Sequence, residues 1–131
     1  MNAESKKHKL LLVDDEAHIR TLIKTLAQSL DFEVIAEAEN GQEAVERFQS
    51  ESPDMTILDI NMPVKTGIEA LREIKKIDPG ALVIMMTSRN DLETVTTAIK
   101  LGARGYILKD NPNDKIKSRI EKAWQEFGVS E

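Results

Sequence analysis

The 131-residue sequence contains no cysteine, which excludes disulfides and thiolate metal sites. Aromatic residues make up only 4% of the chain. No hydroxyl-rich loop follows the first apolar run either, so a flavin binder is disfavoured. Long apolar runs are also missing: the longest, Ala81 to Met86, is far short of a membrane span. Leu10 to Val13, between a basic start and Asp14, are too few for a signal peptide. A cytoplasmic location is expected from these absences. Basic charge is scarce, with a formal net charge of −5 and one cluster, Lys6, Lys7, His8 and Lys9. Nucleic-acid binding needs a concentrated positive face, so none is expected. Residues 1–8 read as a flexible tail.

What is present is 40% hydrophobic and 31% charged, the balance of a soluble globular chain with enough length for one core. A single domain over 1–131 is expected. Short apolar runs (Leu10 to Val13, Glu33 to Ala38, Met55 to Leu58, Leu82 to Met86, Gly105 to Leu108) read as strands. Several are apolar on consecutive residues, as in strands covered on both faces. Between them lie five stripes at i, i+3, i+4 spacing. These are Ile19, Leu22, Ile23, Leu26 and Leu30; then Ala44, Val45 and Phe48; then Ile68, Leu71 and Ile74. Val95, Ala98 and Ile99 form the fourth, and Ile116, Ile120, Trp124 and Phe127 the fifth. Asn40, Thr66 and Asn90 each precede a glutamate at capping spacing, and Asn111 before Pro112 reads as a further N-cap.

The alternation is (βα)5, which implies a parallel sheet with helices on both faces. A dinucleotide-binding half would place G-x-G-x-x-G after the first strand, but Asp14-Asp15-Glu16-Ala17 follows instead. The flavodoxin-like three-layer sandwich, with strand order 2-1-3-4-5, is therefore expected.

In that order the ligand crevice lies outside the carboxyl ends of strands one and three. Strand one ends in Asp14 and Asp15, strand three in Asp59, and strands four and five add Thr87 and Lys109 at the same edge. Two carboxylates about 5 Å apart at an effective dielectric of about 20 repel by roughly 3 kcal/mol. Three must take up protons or a cation. An all-oxygen set favours Mg²⁺ or Mn²⁺. Lys109 and Thr87 suit phosphoryl oxygens. Any one of the acids alone would read as a local cap; together they read as a site.

LLLVDDE (10–16), ILDINMPVKTG (57–67), MMTS (85–88) and GARGYILK (102–109) resemble the response-regulator receiver domain of two-component signalling. The motifs occur in order along nearly the whole chain. The resemblance implies a signalling receiver that catalyses only its own phosphorylation and dephosphorylation. Asp59 would accept a phosphoryl group from a sensor histidine kinase or phosphotransfer protein. Asp15 would ligate the metal directly, Asp14 would orient its waters, and Asn61 would contribute its backbone carbonyl. Lys109 would pair with Asp59 or its phosphate, and Thr87 would bond a phosphate oxygen. Thr87 and Tyr106 would form the switch, with output to a downstream protein or domain through the fourth helix, fifth strand and fifth helix, roughly residues 92 to 127. An exposed edge at the fifth strand is compatible with a phosphorylation-linked dimer.

Two departures stand out. Asp110 follows Lys109 where many members carry proline, and this Lys-Asp pair resembles receivers that precede a helix-turn-helix output domain. The chain thus reads either as a stand-alone regulator or as a receiver cut from a longer one. Arg89, two residues past Thr87, is expected to affect access of hydrolytic water to the phosphate. A haloacid-dehalogenase-type phosphatase is the enzymatic rival. It would need a second aspartate two residues after Asp14, where Glu16 stands.

Overall fold

Five strands and five α-helices alternate along the described residues: β1 (His8–Val13), α1 (Ala17–Gln28), β2 (Phe32–Ala38), α2 (Gly41–Glu51), β3 (Met55–Asp59), α3 (Gly67–Ile77), β4 (Val83–Thr87), α4 (Leu92–Lys100), β5 (Tyr106–Leu108) and α5 (Asn113–Ala123). The computed structural model describes residues 7–88 and 91–128. All strand pairings are parallel and the order is β2-β1-β3-β4-β5, the flavodoxin-like arrangement.

Successive side chains of a strand point to opposite faces. Leu11 and Val13 therefore join Leu58, Val83 and Met85 beneath α2, α3 and α4. Leu10 and Leu12 join Met55, Ile57, Ile84 and Met86 beneath α1 and α5. The edge strand β2 breaks this alternation. Leu10 pairs with Val34 but Leu11 pairs with Ala36, so Ile35 is an extra, bulged residue. Phe32 and Val34 thus pack on the α1/α5 side, while Ala36 and Ala38 pack on the other.

The expected stripes hold for most positions. Ile99 and Phe127 are the exceptions, each close to half exposed. Phe127 leaves the α5 stripe because the chain widens into a π-type turn over Trp124–Gly128, and the Arg104 guanidinium lies 4.9 Å from its ring. Trp124 does pack, 4.3 Å from the His8 ring and 5.5 Å from Phe32. That cover draws His8 into β1, so the strand starts inside the expected tail; residues 1–6 lie outside the described ones.

Thr66 and Glu69 form a full capping box on α3, and Asn40 accepts from the Glu43 N–H. Asn90 lies outside the described residues. Asn111 does not cap α5. Its N–H is tied back to the Leu108 carbonyl in a turn, and Pro112 takes the cap position.

Thr56, fully buried in β3, has a hydroxyl with no hydrogen-bond partner among the described residues. Thr56→Val replaces an unpaired polar atom with a methyl of similar shape and should raise unfolding free energy by about 1 kcal/mol. Urea titration at constant m-value checks this.

Candidate functional site

The parallel sheet aligns every strand's carboxyl end along one edge, and the polar residues of the sequence pattern gather there. Asp59 and Thr87 are the last residues of β3 and β4. Asp14 and Lys109 are the first residues past β1 and β5. Backbone bonds lock these exits: Asp14 N donates to the Ala38 carbonyl at 3.0 Å and Lys109 N to the Thr87 carbonyl at 2.8 Å. Asp14, Asp59 and Thr87 are only 0%, 2% and 1% exposed.

The loop after β3 is drawn against the site by Gly67. Its N–H donates to the Ile60 carbonyl at 2.8 Å. A Cβ at this position would lie 2.0 Å from the Asp59 carbonyl oxygen. Gly67→Ala must therefore push α3 away from the acid-bearing strand end. A loss of about 3 kcal/mol is expected, at the upper end of overpacking costs, measured by urea unfolding. Between them, Val64 sits at φ 69° with Lys65 N donating to the Pro63 carbonyl at 2.7 Å, a tight turn that a β-branched residue adopts only with strain.

Lys109 organises the charges. Its Nζ lies 3.0 Å from Asp14 Oδ2, 3.1 Å from Glu16 Oε1 and 3.2 Å from Asp59 Oδ2. One cation shared by three carboxylates has asymmetric consequences. Burial would lower the Lys109 pKa, but the three partners outweigh it and raise the value above its ordinary 10.5. Each acid receives only a share of the cation. Burial, with the Asp14 charge next, therefore wins at Asp59 and pushes its pKa up to about 7 despite Lys109. Burial likewise raises Asp14, against a hydrogen bond from the Glu16 N–H and the charge of Lys109.

Asp14, Asp15 and Asp59 each offer a carboxylate oxygen, and these atoms lie within 4.8 Å of one another. Asp14 Oδ2 is buried and, though in ion-pair contact with Lys109, accepts no hydrogen bond of good geometry. An under-satisfied buried oxygen inside an all-oxygen donor set fits a hard divalent cation. The cluster could hold a metal ion. It opens into a shallow cleft lined by Asp15, Glu16, Asp59, Asn61, Ser88, Asp91 and Lys109.

This geometry coincides with a family. The response regulator receiver domain model matches residues 10–121. The chain belongs to that family. It is similar to the chemotaxis protein CheY of Listeria monocytogenes, 46% identical over 115 residues, which cover 88% of this chain and 97% of that protein. CheY of Bacillus subtilis is 44% identical over 115 residues, 88% of this chain and 96% of that one. Among solved structures, the CheX-CheY-BeF3-Mg²⁺ complex from Borrelia burgdorferi superposes with a TM-score of 0.86 at 28% identity, covering 95% of both chains. The protein is a CheY-like receiver domain of two-component signalling.

In this receiver the remaining expected residues are placed as follows. Asn61 lines the cleft, and its side-chain amide donates to Asp91 Oδ2 at 2.5 Å, a carboxylate that also accepts from Ser88 Oγ at 3.1 Å. The Thr87 hydroxyl donates to the Ser88 carbonyl at 3.1 Å and not to the acids. Tyr106 lies outside the carboxylate cluster, half-buried on β5 with the Arg119 guanidinium 4.9 Å from its ring. The pairing of Met85 with Tyr106 and Thr87 with Leu108 sets Thr87 and Tyr106 diagonally on one face of the sheet. Arg89 lies outside the described residues.

Three residues of the site went unseen in the sequence. Glu16, read only as part of the turn, contacts Lys109. Asp91 tethers Asn61. Arg20, on α1, donates to the Asp14 carbonyl at 2.6 Å. Among the described residues no helix is long and apolar enough to cross a membrane.

Proposed function

We propose that this receiver is the phosphoacceptor of a two-component phosphorelay, taking a phosphoryl group from a histidine kinase or phosphotransfer protein onto Asp59. The observation that carries the reading is the single ammonium of Lys109 within 3.2 Å of Asp14, Glu16 and the buried Asp59. Such a cluster holds its nucleophile and its charge-neutralising group in fixed positions, and phosphoryl transfer depends chiefly on positioning and electrostatics.

The Asp59 carboxylate oxygen would form the new P–O bond as the P–N bond of a phosphohistidine breaks and the imidazole leaves with the electron pair. Lys109 would follow the charge from the carboxylate to the phosphoryl oxygens. Asp14, Asp15, Asp59 and the Asn61 backbone carbonyl would hold Mg²⁺ or Mn²⁺, which when bound supplies positive charge against the phosphoryl oxygens. Thr87 would exchange its bond to the Ser88 carbonyl for one to a phosphoryl oxygen. Tyr106, diagonal to it, would respond on the α4–β5–α5 face, passing the change to a downstream protein or output domain. The domain acts on no other substrate. The Borrelia burgdorferi relative, solved with BeF3 and Mg²⁺, supports the metal dependence.

Incubation with acetyl phosphate should add one phosphoryl mass to the intact protein in the presence of Mg²⁺ and none in EDTA. Equal labelling in EDTA would exclude the metal-dependent reading.

A further inference from the structure

We infer that Arg20 is a positioning residue for the metal-binding turn, fixing the peptide plane from which Asp15 departs; this rests on the metal-dependent reading above. Arg20 Nη1 donates to the Asp14 carbonyl at 2.6 Å, and its Nε donates to Glu37 Oε1 at 2.9 Å. The side chain is 15% exposed, so both bonds are made from a largely covered guanidinium and are charge-assisted. That carbonyl shares one rigid plane with the Asp15 N–H. Holding the oxygen sets the direction in which Asp15 leaves the strand end.

Asp15 needs such a hold. It is exposed, and among the described residues no hydrogen bond or ion pair engages its carboxylate. Asp14 is fixed independently, by its N–H to the Ala38 carbonyl at 3.0 Å and by the Glu16 N–H to its Oδ1 at 2.8 Å. The backbone between the two acids is thus the element that aims Asp15, and Arg20 grips it.

The bulge at Ile35 makes the grip possible. Past the bulge, Ala36 and Ala38 face the α2/α3 side, so Glu37 faces α1 and meets Arg20. In an unbulged strand, residue 37 would point away from α1. Lys24, one turn along α1, reaches Glu37 Oε2 at 3.5 Å and leaves Oε1 to Arg20. The strand irregularity, the ion pair and the metal turn form one connected device.

Charge and position predict opposite outcomes here. If Arg20 acted only as a nearby positive charge, its removal would tighten cation binding. If it positions Asp15, removal weakens binding. The paired substitution Arg20→Met with Glu37→Gln removes one charge of each sign and isolates the positional effect. Mn²⁺ titration of the full chain, with free ion counted by electron paramagnetic resonance, reads it directly. The paired variant should bind Mn²⁺ about ten-fold more weakly than the parent, the usual cost of losing a group that orients metal ligands. Its thermal midpoint in EDTA should stay close to the parent's. Arg20→Lys keeps the charge but has no planar fork to serve both acceptors, and should weaken binding by a smaller factor. Affinity equal to or tighter than the parent's in the paired variant would overturn the inference. Should that variant fail to fold, unchanged affinity in Arg20→Lys would overturn it. A parent that binds no Mn²⁺ would overturn both this inference and the metal-dependent reading; a parent that binds with variants that bind equally removes only the role of Arg20.

Discussion

Asp59→Asn should unfold at a higher urea concentration than the parent at pH 8 in EDTA, with the advantage fading towards pH 5. The folded protein holds the Asp59 proton up to about pH 7, whereas an unfolded carboxyl releases it near 3.8. Between those values the folded state carries more protons than the unfolded one, so this group's contribution to stability falls as pH rises. Above pH 7 the penalty is complete. The rise from 3.8 to about 7 corresponds to about 4 kcal/mol, an upper value because the neighbouring Asp14 carboxyl titrates with it. Asparagine keeps the shape and removes the ionisation, so a gain of about 3 kcal/mol is expected at pH 8. Mg²⁺ should narrow the gap by binding the parent more tightly. A variant less stable than the parent at pH 8 in EDTA would mean that Lys109 already compensates Asp59 fully.

Lys109→Met should have the opposite effect. It strips the shared cation from Asp14, Glu16 and Asp59, of which Asp14 and Asp59 have almost no contact with water. Removing one partner of a buried charge group costs about 3 kcal/mol or more at pH 8. The lysine's own pKa is raised above 10.5, so its charge is complete throughout the range tested. The pH dependence comes from its partners: as pH falls through the raised values of Asp59 and Asp14, they take up protons and no longer need it. The loss should therefore shrink at pH 5, and part of it should be recovered at pH 8 by Mg²⁺. The two substitutions should couple, since Lys109→Met costs less where residue 59 is already neutral. Urea titrations of the parent, both single variants and the double variant measure all of this. A loss as large at pH 5 as at pH 8 would assign Lys109 a packing role.

Much of this site was legible because the fold converts sequence position into spatial position. In a parallel sheet the residue that ends each apolar run is delivered to one edge, so Asp14, Asp15, Asp59, Thr87 and Lys109 could be brought together from four strand endings. The unseen parts depend on register and on long side chains. Glu16 and Lys109 are 93 residues apart, and their contact follows from side-chain reach, which no strand-ending rule encodes. The bulge at Ile35 sits in Phe32–Ala38 without a glycine or proline to mark it, and only the pairing with β1 reveals it. The consequence is that Glu37 and Arg20 could not be matched beforehand. Asn111 shows a local rule defeated by its neighbour. The sequence pattern of an N-cap is present, but the turn after β5 claims its backbone and Pro112 takes the cap position. Phe127 kept the spacing of the α5 stripe, but the widened turn after Ala123 removed it from the buried face.

The most direct test of the central claim is the intact mass of the parent and of Asp59→Asn after incubation with acetyl phosphate and Mg²⁺. The parent should gain one phosphoryl group and the variant none, while circular dichroism shows both folded. A phosphoryl mass on Asp59→Asn equal to that on the parent would place the acceptor elsewhere and contradict the assignment of Asp59.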